Sequence, residues 1–215
     1  MEADWEIEIG GGAPVIEALW PGFVDLRQTP ERIAEITETR EFPQLGRFLL
    51  AVNGASSPLW TSKCDVWEPT LEEPTDGEWP GAKVIQTESS QAPDDMGSKE
   101  QFRLACYIDL LPRQGDLFPR WEDAESFCRT WVARLEAVEL LDSRVDLIVR
   151  QAVAGEAEGF GITAYVSAIP LERPLQRDAR ATALAAALEA VAASIPQGAP
   201  PTKGGQKIQW KDAGE

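Results

Sequence analysis

The chain has 215 residues, no histidine, three cysteines and a formal net charge of −16. A chain of this length can bury a core without disulfide or metal staples, and its 43% hydrophobic content is that of a folded protein. The missing histidine excludes Ser-His-Asp and Cys-His catalysis, histidine metal ligands and an imidazole base, while the negative charge disfavours phosphate backbones and anionic lipid.

Residues 5–9, Trp-Glu-Ile-Glu-Ile, alternate apolar and acidic side chains and predict a half-buried strand ended by Gly10-Gly11-Gly12. Extended chain is expected at 15–20 and 23–26, interrupted by Pro21-Gly22. Thr29-Pro30-Glu31 reads as a helix start, with Thr29 as cap, for a helix running to about Arg40. Pro43 restarts it, and a second helix over 44–52 ends at Asn53-Gly54. Residues 59–67 read as a strand with Trp60, Ser62, Cys64 and Val66 on one side and Lys63 and Asp65 on the other.

Residues 68–100 differ in composition. They hold Pro69, Pro74, Pro80 and Pro93 and nine acidic residues, which is the signature of a long loop or linker, with Val84-Ile85 as a short strand inside it. Beyond them, Phe102 to Leu110 alternates as a strand, and Trp121 to Val138 carries apolar residues at three- and four-residue steps as an amphipathic helix. Two strands, 145–154 and 160–169, flank a hairpin at Gly155 to Gly159. Asp178 to Ser194 is an alanine-rich helix, and Lys207 to Trp210 a last short strand.

The fold class is therefore α+β. The C-terminal order β-α-β-β-α-β predicts a ferredoxin-like arrangement, an antiparallel sheet with helices packed on one face. The N-terminal half, ββααβ, extends that sheet or forms a related lobe. The corresponding segments are an N-terminal lobe over 1–67, the acidic loop over 68–100 and a C-terminal lobe over 101–215, or one continuous domain.

The cysteines, Cys64, Cys106 and Cys128, form no C-x-x-C pair, so neither a zinc site nor a disulfide framework is indicated, and no cofactor is expected. The acidic start does not resemble a secretory signal, and no apolar run is long enough to span a membrane. A soluble cytoplasmic protein without a membrane partner is the expectation. Cys64, flanked by Lys63, has the residue types of an activated thiol, but the strand alternation places it with core residues instead.

Two surfaces are candidates for binding. One is the acidic, aromatic stretch that contains Trp67 and Trp79 among Glu72, Glu73, Asp76 and Glu78, where aromatics among carboxylates suit a cationic or peptide partner. Tryptophans that pin a loop to the body would look the same. The other is the far side of the C-terminal sheet, where Arg103, Tyr107 and Asp109 would lie beside Thr163, Tyr165 and Ser167, with Asp146 and Arg150 on an outer strand. No catalytic residue is assigned.

The first reading of function is non-catalytic binding to another protein, a basic one by charge, in the manner of an inhibitor, immunity or regulatory protein. A second is a small-molecule-binding domain, or an enzyme working through Asp109 or Tyr107 with Arg103 anchoring an anion. A third is an assembly subunit that pairs through edge strands such as 207–210.

Overall fold

A computed structural model describes residues 1–68, 104–168 and 177–197. The expected short strands at 84–85 and 207–210 lie outside these residues, as do Glu72, Glu73, Asp76, Glu78, Trp79 and Arg103.

Eleven elements are described. They are β1 (Glu2–Glu8), β2 (Ile16–Glu17), a 3-10 helix (Pro30–Glu35), α1 (Thr37–Glu41), α2 (Pro43–Asn53), β3 (Leu59–Trp67), β4 (Leu104–Pro112), α3 (Trp121–Glu136), β5 (Ser143–Ala154), β6 (Ala157–Ala168) and α4 (Arg177–Ser194). The strands form one six-stranded, mostly antiparallel sheet in the order β1-β5-β6-β4-β3, with β2 also paired to β5. Both halves of the chain contribute to it. β1 and β2 run parallel to β5, so β5 is an internal strand and not the outer one expected. The place beside β4 that a ferredoxin-like order gives to a strand after the last helix is taken by β3, antiparallel to β4.

All three long helices pack on one face. α3 lies over β1 and β5, α4 over β6 and β4, and α2 over β3 and alongside α4. The reason is the alternation of the strands. Val145, Leu147 and Val149 of β5, Ile162, Ala164 and Val166 of β6, and Cys106, Ile108 and Leu110 of β4 all turn to that side. They meet Phe127, Trp131 and Leu135 of α3, Leu184, Leu188 and Val191 of α4, and Leu45, Phe48 and Leu49 of α2. Trp131 is fully buried, and its indole N–H donates to the Val191 carbonyl at 3.3 Å. Ala164 and Ala168 are fully buried where α4 packs on β6.

Several local expectations are corrected. The helix expected over 30–40 is two pieces, because Ile36 is extended between the 3-10 turn and α1. Thr29 caps neither; its hydroxyl donates to the Asp25 carbonyl instead. The β5–β6 connection is a two-residue turn, Gly155-Glu156, with Gly155 at φ +64, a conformation that glycine adopts without strain. Residues 23–26 are not a strand.

β3 carries the most consequential departure. Its pairing steps from Thr61↔Leu110 to Cys64↔Ile108, so both Ser62 and Lys63 stand against Asp109. This bulge breaks the alternation. Cys64 and Val66 keep the helix face, but Trp60 does not share it and turns to the other side. Asn53 at the end of α2 holds the bulged stretch: its Nδ2 donates to Thr61 Oγ1 at 2.6 Å, and its Oδ1 accepts from the Thr61 N–H at 3.2 Å.

The face without helices has its own small core at one end. Ile16 and Ala18, from the segment after β1, pack with Trp60, Leu111, Leu117 and Ala152. Ser62 Oγ reaches the carbonyls of Glu17 and Ala18, and the Ala18 N–H donates to Val153. Trp60 is also covered by Phe23 edge-on and by the Arg27 guanidinium 3.8 Å above its ring. Gly161 of β6 lies directly beneath. A Cβ there would come within 2.7 Å of Leu111 Cδ2 and 2.9 Å of Ile16 Cδ1. Gly161→Ala should therefore cost about 1–3 kcal/mol in urea unfolding by forcing this cluster apart; an unchanged midpoint would show that the segment after β1 does not pack on the sheet.

Candidate functional site

The helix-free face is a polar sheet surface, and strand register determines what it displays. Tyr107 of β4 faces Tyr165 of β6, Asp109 faces Thr163, Asp146 of β5 faces Tyr165, and Arg150 faces Gly161. Thus Tyr107, Asp109 and Tyr165 are brought together, as the alternation predicts. Trp67 joins them from β3, with its ring centroid 6.2 Å from Tyr107 and 6.3 Å from Tyr165, while the two tyrosine rings are 6.1 Å apart. Trp60, the other tryptophan of β3, is core.

The segment from Pro14 to Pro21 walls this surface and turns it into a cavity of about 540 Å³. Its floor is Tyr107, Asp109, Arg150 and Tyr165, and Lys63 and Trp20 close its sides. That volume suits a small organic molecule. Lys63 reaches the cavity because it alternates with Cys64, as the strand pattern predicts, and Trp20 because Ile16 and Ala18 anchor its segment. The placement of Trp20 is not visible in a strand pattern. The turn residues Pro14 and Pro21-Gly22 at the two ends of the segment are the nearest clue in the sequence. Trp20 Nε1 is buried with no hydrogen-bond partner among the described residues.

Asp109 is the chemically distinctive group. It is 8% exposed, and Thr163 Oγ1 donates to its Oδ1 at 2.6 Å. Its Oδ2 has no hydrogen-bond partner among the described residues, although the residue lines the cavity. Burial pushes its pKa up to about 6, against the pull of the Thr163 hydroxyl and of Arg150 and Lys63. Tyr107 is also pushed up, by burial and then by Asp109 and Asp65. Its phenol stays neutral and can donate a hydrogen bond.

Arg150 is 7% exposed and charged. Burial opposes that charge, but Tyr165 and Glu8 outweigh it. Its Nε and Nη2 donate to Glu8 Oε2 at 3.0 and 2.7 Å, and its Nη1 donates to the Tyr165 hydroxyl at 3.4 Å. Arg150 therefore braces the floor more than it offers a free cation. Beyond it, β1 turns Glu2, Asp4, Glu6 and Glu8 to the same face, beside Asp146. Glu6 is held above the ordinary carboxylate range by lost solvation and by Glu8, Asp146 and Asp4.

The cysteines offer no reactive thiolate. Burial pushes Cys64 up to about 12, and burial likewise raises Cys106 and Cys128. None is disulfide-bonded. Among the described residues no cluster of three or more cysteine or carboxylate side chains is arranged to hold a metal ion, and no helix is long and apolar enough to cross a membrane. Compared with protein-family models, curated proteins and solved structures, the chain matches none.

The raised pKa of Asp109 carries a stability consequence. Its folded value lies above the unfolded value of 3.8. It therefore favours the fold when protonated, fully so below about pH 4, and that contribution is lost as pH rises through about 6. Asp109→Asn, which keeps a polar partner for Thr163 without the charge, should stabilise the protein by about 2–3 kcal/mol at pH 8 and by little at pH 4. Urea unfolding of both proteins at the two pH values checks this. Equal effects at both would mean that Asp109 is not held out of water.

Proposed function

We propose that this protein is a small-molecule-binding domain whose ligand occupies the cavity on the open sheet face. The observation that carries this reading is the Asp109 carboxyl. A nearly buried ionisable group, with one oxygen committed to Thr163 and the other without a partner among the described residues, lines a solvent-open cavity floored by two tyrosine rings. Oδ2 is not among the buried atoms left without a partner, so it opens to the solvent of the cavity, where a ligand donor can take the place of water. Pre-ordered walls lower the entropic cost of binding. Ile16 and Ala18 order the segment, and Arg150, Glu8 and Tyr165 order the floor. Binding, and not turnover, is the reading, because the site pairs no nucleophile with a base. Three unpaired thiols suit a reducing compartment, which we take to be the cytoplasm.

A thermal-shift screen of small polar and aromatic compounds tests it, since selective binding to the native state raises Tm. Val15, 51% exposed on the cavity wall, allows a blocking control. Compounds that raise the Tm of the native protein should fail to do so for Val15→Trp, whose own Tm stays close to that of the parent. If no compound gives a shift, or the shifts persist in the blocked variant, the cavity is not the site.

A second reading, docking of a basic protein, is favoured by a different feature. The carboxylates of Glu2, Asp4 and Glu6 line the outer strand β1 next to Asp146, and strong negative charge steers basic partners toward such a surface. The acidic loop over 68–100, which suits the same kind of partner, falls almost wholly outside the described residues. Affinity capture from host lysate should then recover a basic protein at low salt and lose it at high salt. The Asp4→Asn, Glu6→Gln double variant should recover markedly less of it. Equal recovery by the variant removes β1 from the interface.

A further inference from the structure

We infer that the ligand of the open-face cavity is an organic cation, a primary ammonium or amidinium group on a small flat body, with its charge on Asp109 Oδ2 and its body against Tyr107 and Tyr165. The inference rests on the small-molecule reading above and adds its chemical class. Three independent features point the same way.

The first is the polar chemistry of the floor. Asp109 Oδ2 is an acceptor without a donor among the described residues, and the Thr163 hydroxyl fixes the direction in which it is presented. The other charge on the floor is already neutralised: Arg150 donates to Glu8 through two of its nitrogens. On the floor an incoming anion would have to displace that pair, leaving it only Lys63 at the side, whereas an incoming cation meets an unclaimed carboxylate. The second is the aromatic floor. Two tyrosine rings lie 6.1 Å apart at a 46° tilt beside the carboxyl, Tyr165 already holding the Arg150 guanidinium 5.6 Å from its ring centre, and aromatic faces attract cations through their quadrupoles. The third is the field. On one flank the open face displays Asp4 and Glu6 without an ion-pair partner among the described residues, next to Glu8, which Arg150 balances, and Glu2 and Asp146, which share Arg144. With a net charge of −16, the surface concentrates small cations near the cavity mouth and repels anions.

Lys63 decides the test. Among the described residues it is the one cation lining the cavity that is engaged in no ion pair, and it stands across the bulge from Asp109. For a cationic ligand it is a competitor for Asp109; for an anionic one it would be the anchor. The two classes therefore predict opposite effects of its removal.

The chain's only two tyrosines both line this cavity, so a protein labelled with carbon-13 in its tyrosine rings gives NMR signals that report on the site alone. Titration with the matched series benzylammonium, benzyl alcohol and benzoate should show saturable shifts with benzylammonium and affinities at least about tenfold weaker for the other two, the cost of losing a charged hydrogen-bond partner. Lys63→Gln, at an exposed position, should tighten benzylammonium binding severalfold. Asp109→Asn should weaken it by about tenfold or more, with a urea midpoint at pH 8 no lower than the parent's confirming the fold. If benzoate or benzyl alcohol binds as well as benzylammonium, or if Lys63→Gln weakens the cation, the ligand class is wrong while the cavity reading survives. If no compound of any charge, the hits of the thermal-shift screen included, moves either tyrosine, the cavity reading falls with it.

Discussion

The cavity depends on one contact: Ile16 and Ala18 pressed against Trp60, Leu111 and Ala152 across Gly161. All of the long helices among the described residues pack on the opposite face of the sheet, and of the described residues it is the segment of Ile16 and Ala18 that crosses the other face. Burying a few apolar side chains at one end is enough to draw the segment between β1 and the 3-10 helix over the strands. That segment brings Pro14, Val15, Trp20 and Pro21 with it as a wall. Glycine at 161 is what lets two large side chains meet the sheet so closely. Arg27 and Phe23 then shield Trp60 from water, and the Trp60 indole N–H is satisfied by the Pro112 carbonyl at 3.1 Å.

The same wall changes the electrostatics of the strands beneath it. A carboxylate on a solvated antiparallel sheet would titrate in the ordinary range. Covered by the segment, Asp109 instead becomes a group whose charge is costly even with the Thr163 hydrogen bond, unless a further partner meets it. Arg150 is treated differently. It is as buried as Asp109, but Glu8 from β1 reaches it, so its charge is held in place and its geometry fixed. The parallel pairing of β1 with β5 therefore does more than add a strand. It supplies the counter-ion that leaves Asp109 as the unmatched charge on the floor.

Much of the scaffold is legible in local pattern. The alternation around β4, β5 and β6 puts Tyr107, Asp109, Thr163 and Tyr165 on one face, because successive side chains on a strand point to opposite sides. The three-and-four spacing of Trp121, Phe127, Cys128, Trp131 and Leu135 marks α3 and its buried stripe in the same way. Pattern fails where an element is shaped by a contact distant in the chain. In β3, Trp60 and Cys64 look like members of one face, and only the Asn53–Thr61 hydrogen bonds and the bulge separate them. Arg113, which ties the end of α2 through the carbonyls of Asn53, Gly54 and Ser57, carries no local signal for that role. The break at Ile36 is equally invisible, since its neighbours are all acceptable in a helix.

Composition and spacing by themselves determined the α+β class, the absence of imidazole chemistry, the strongly negative surface and the polar strand faces, because these follow from residue counts and from the fixed periods of helix and strand. Folding decided what those properties add up to. Whether a polar sheet face is a wet lattice of ion pairs or the floor of a cavity depends on which distant segment crosses it and which distant strand supplies a counter-ion. Those are contacts between residues some 90 to 140 positions apart, such as Ile16 over Leu111 and Glu8 on Arg150, and no local period encodes them.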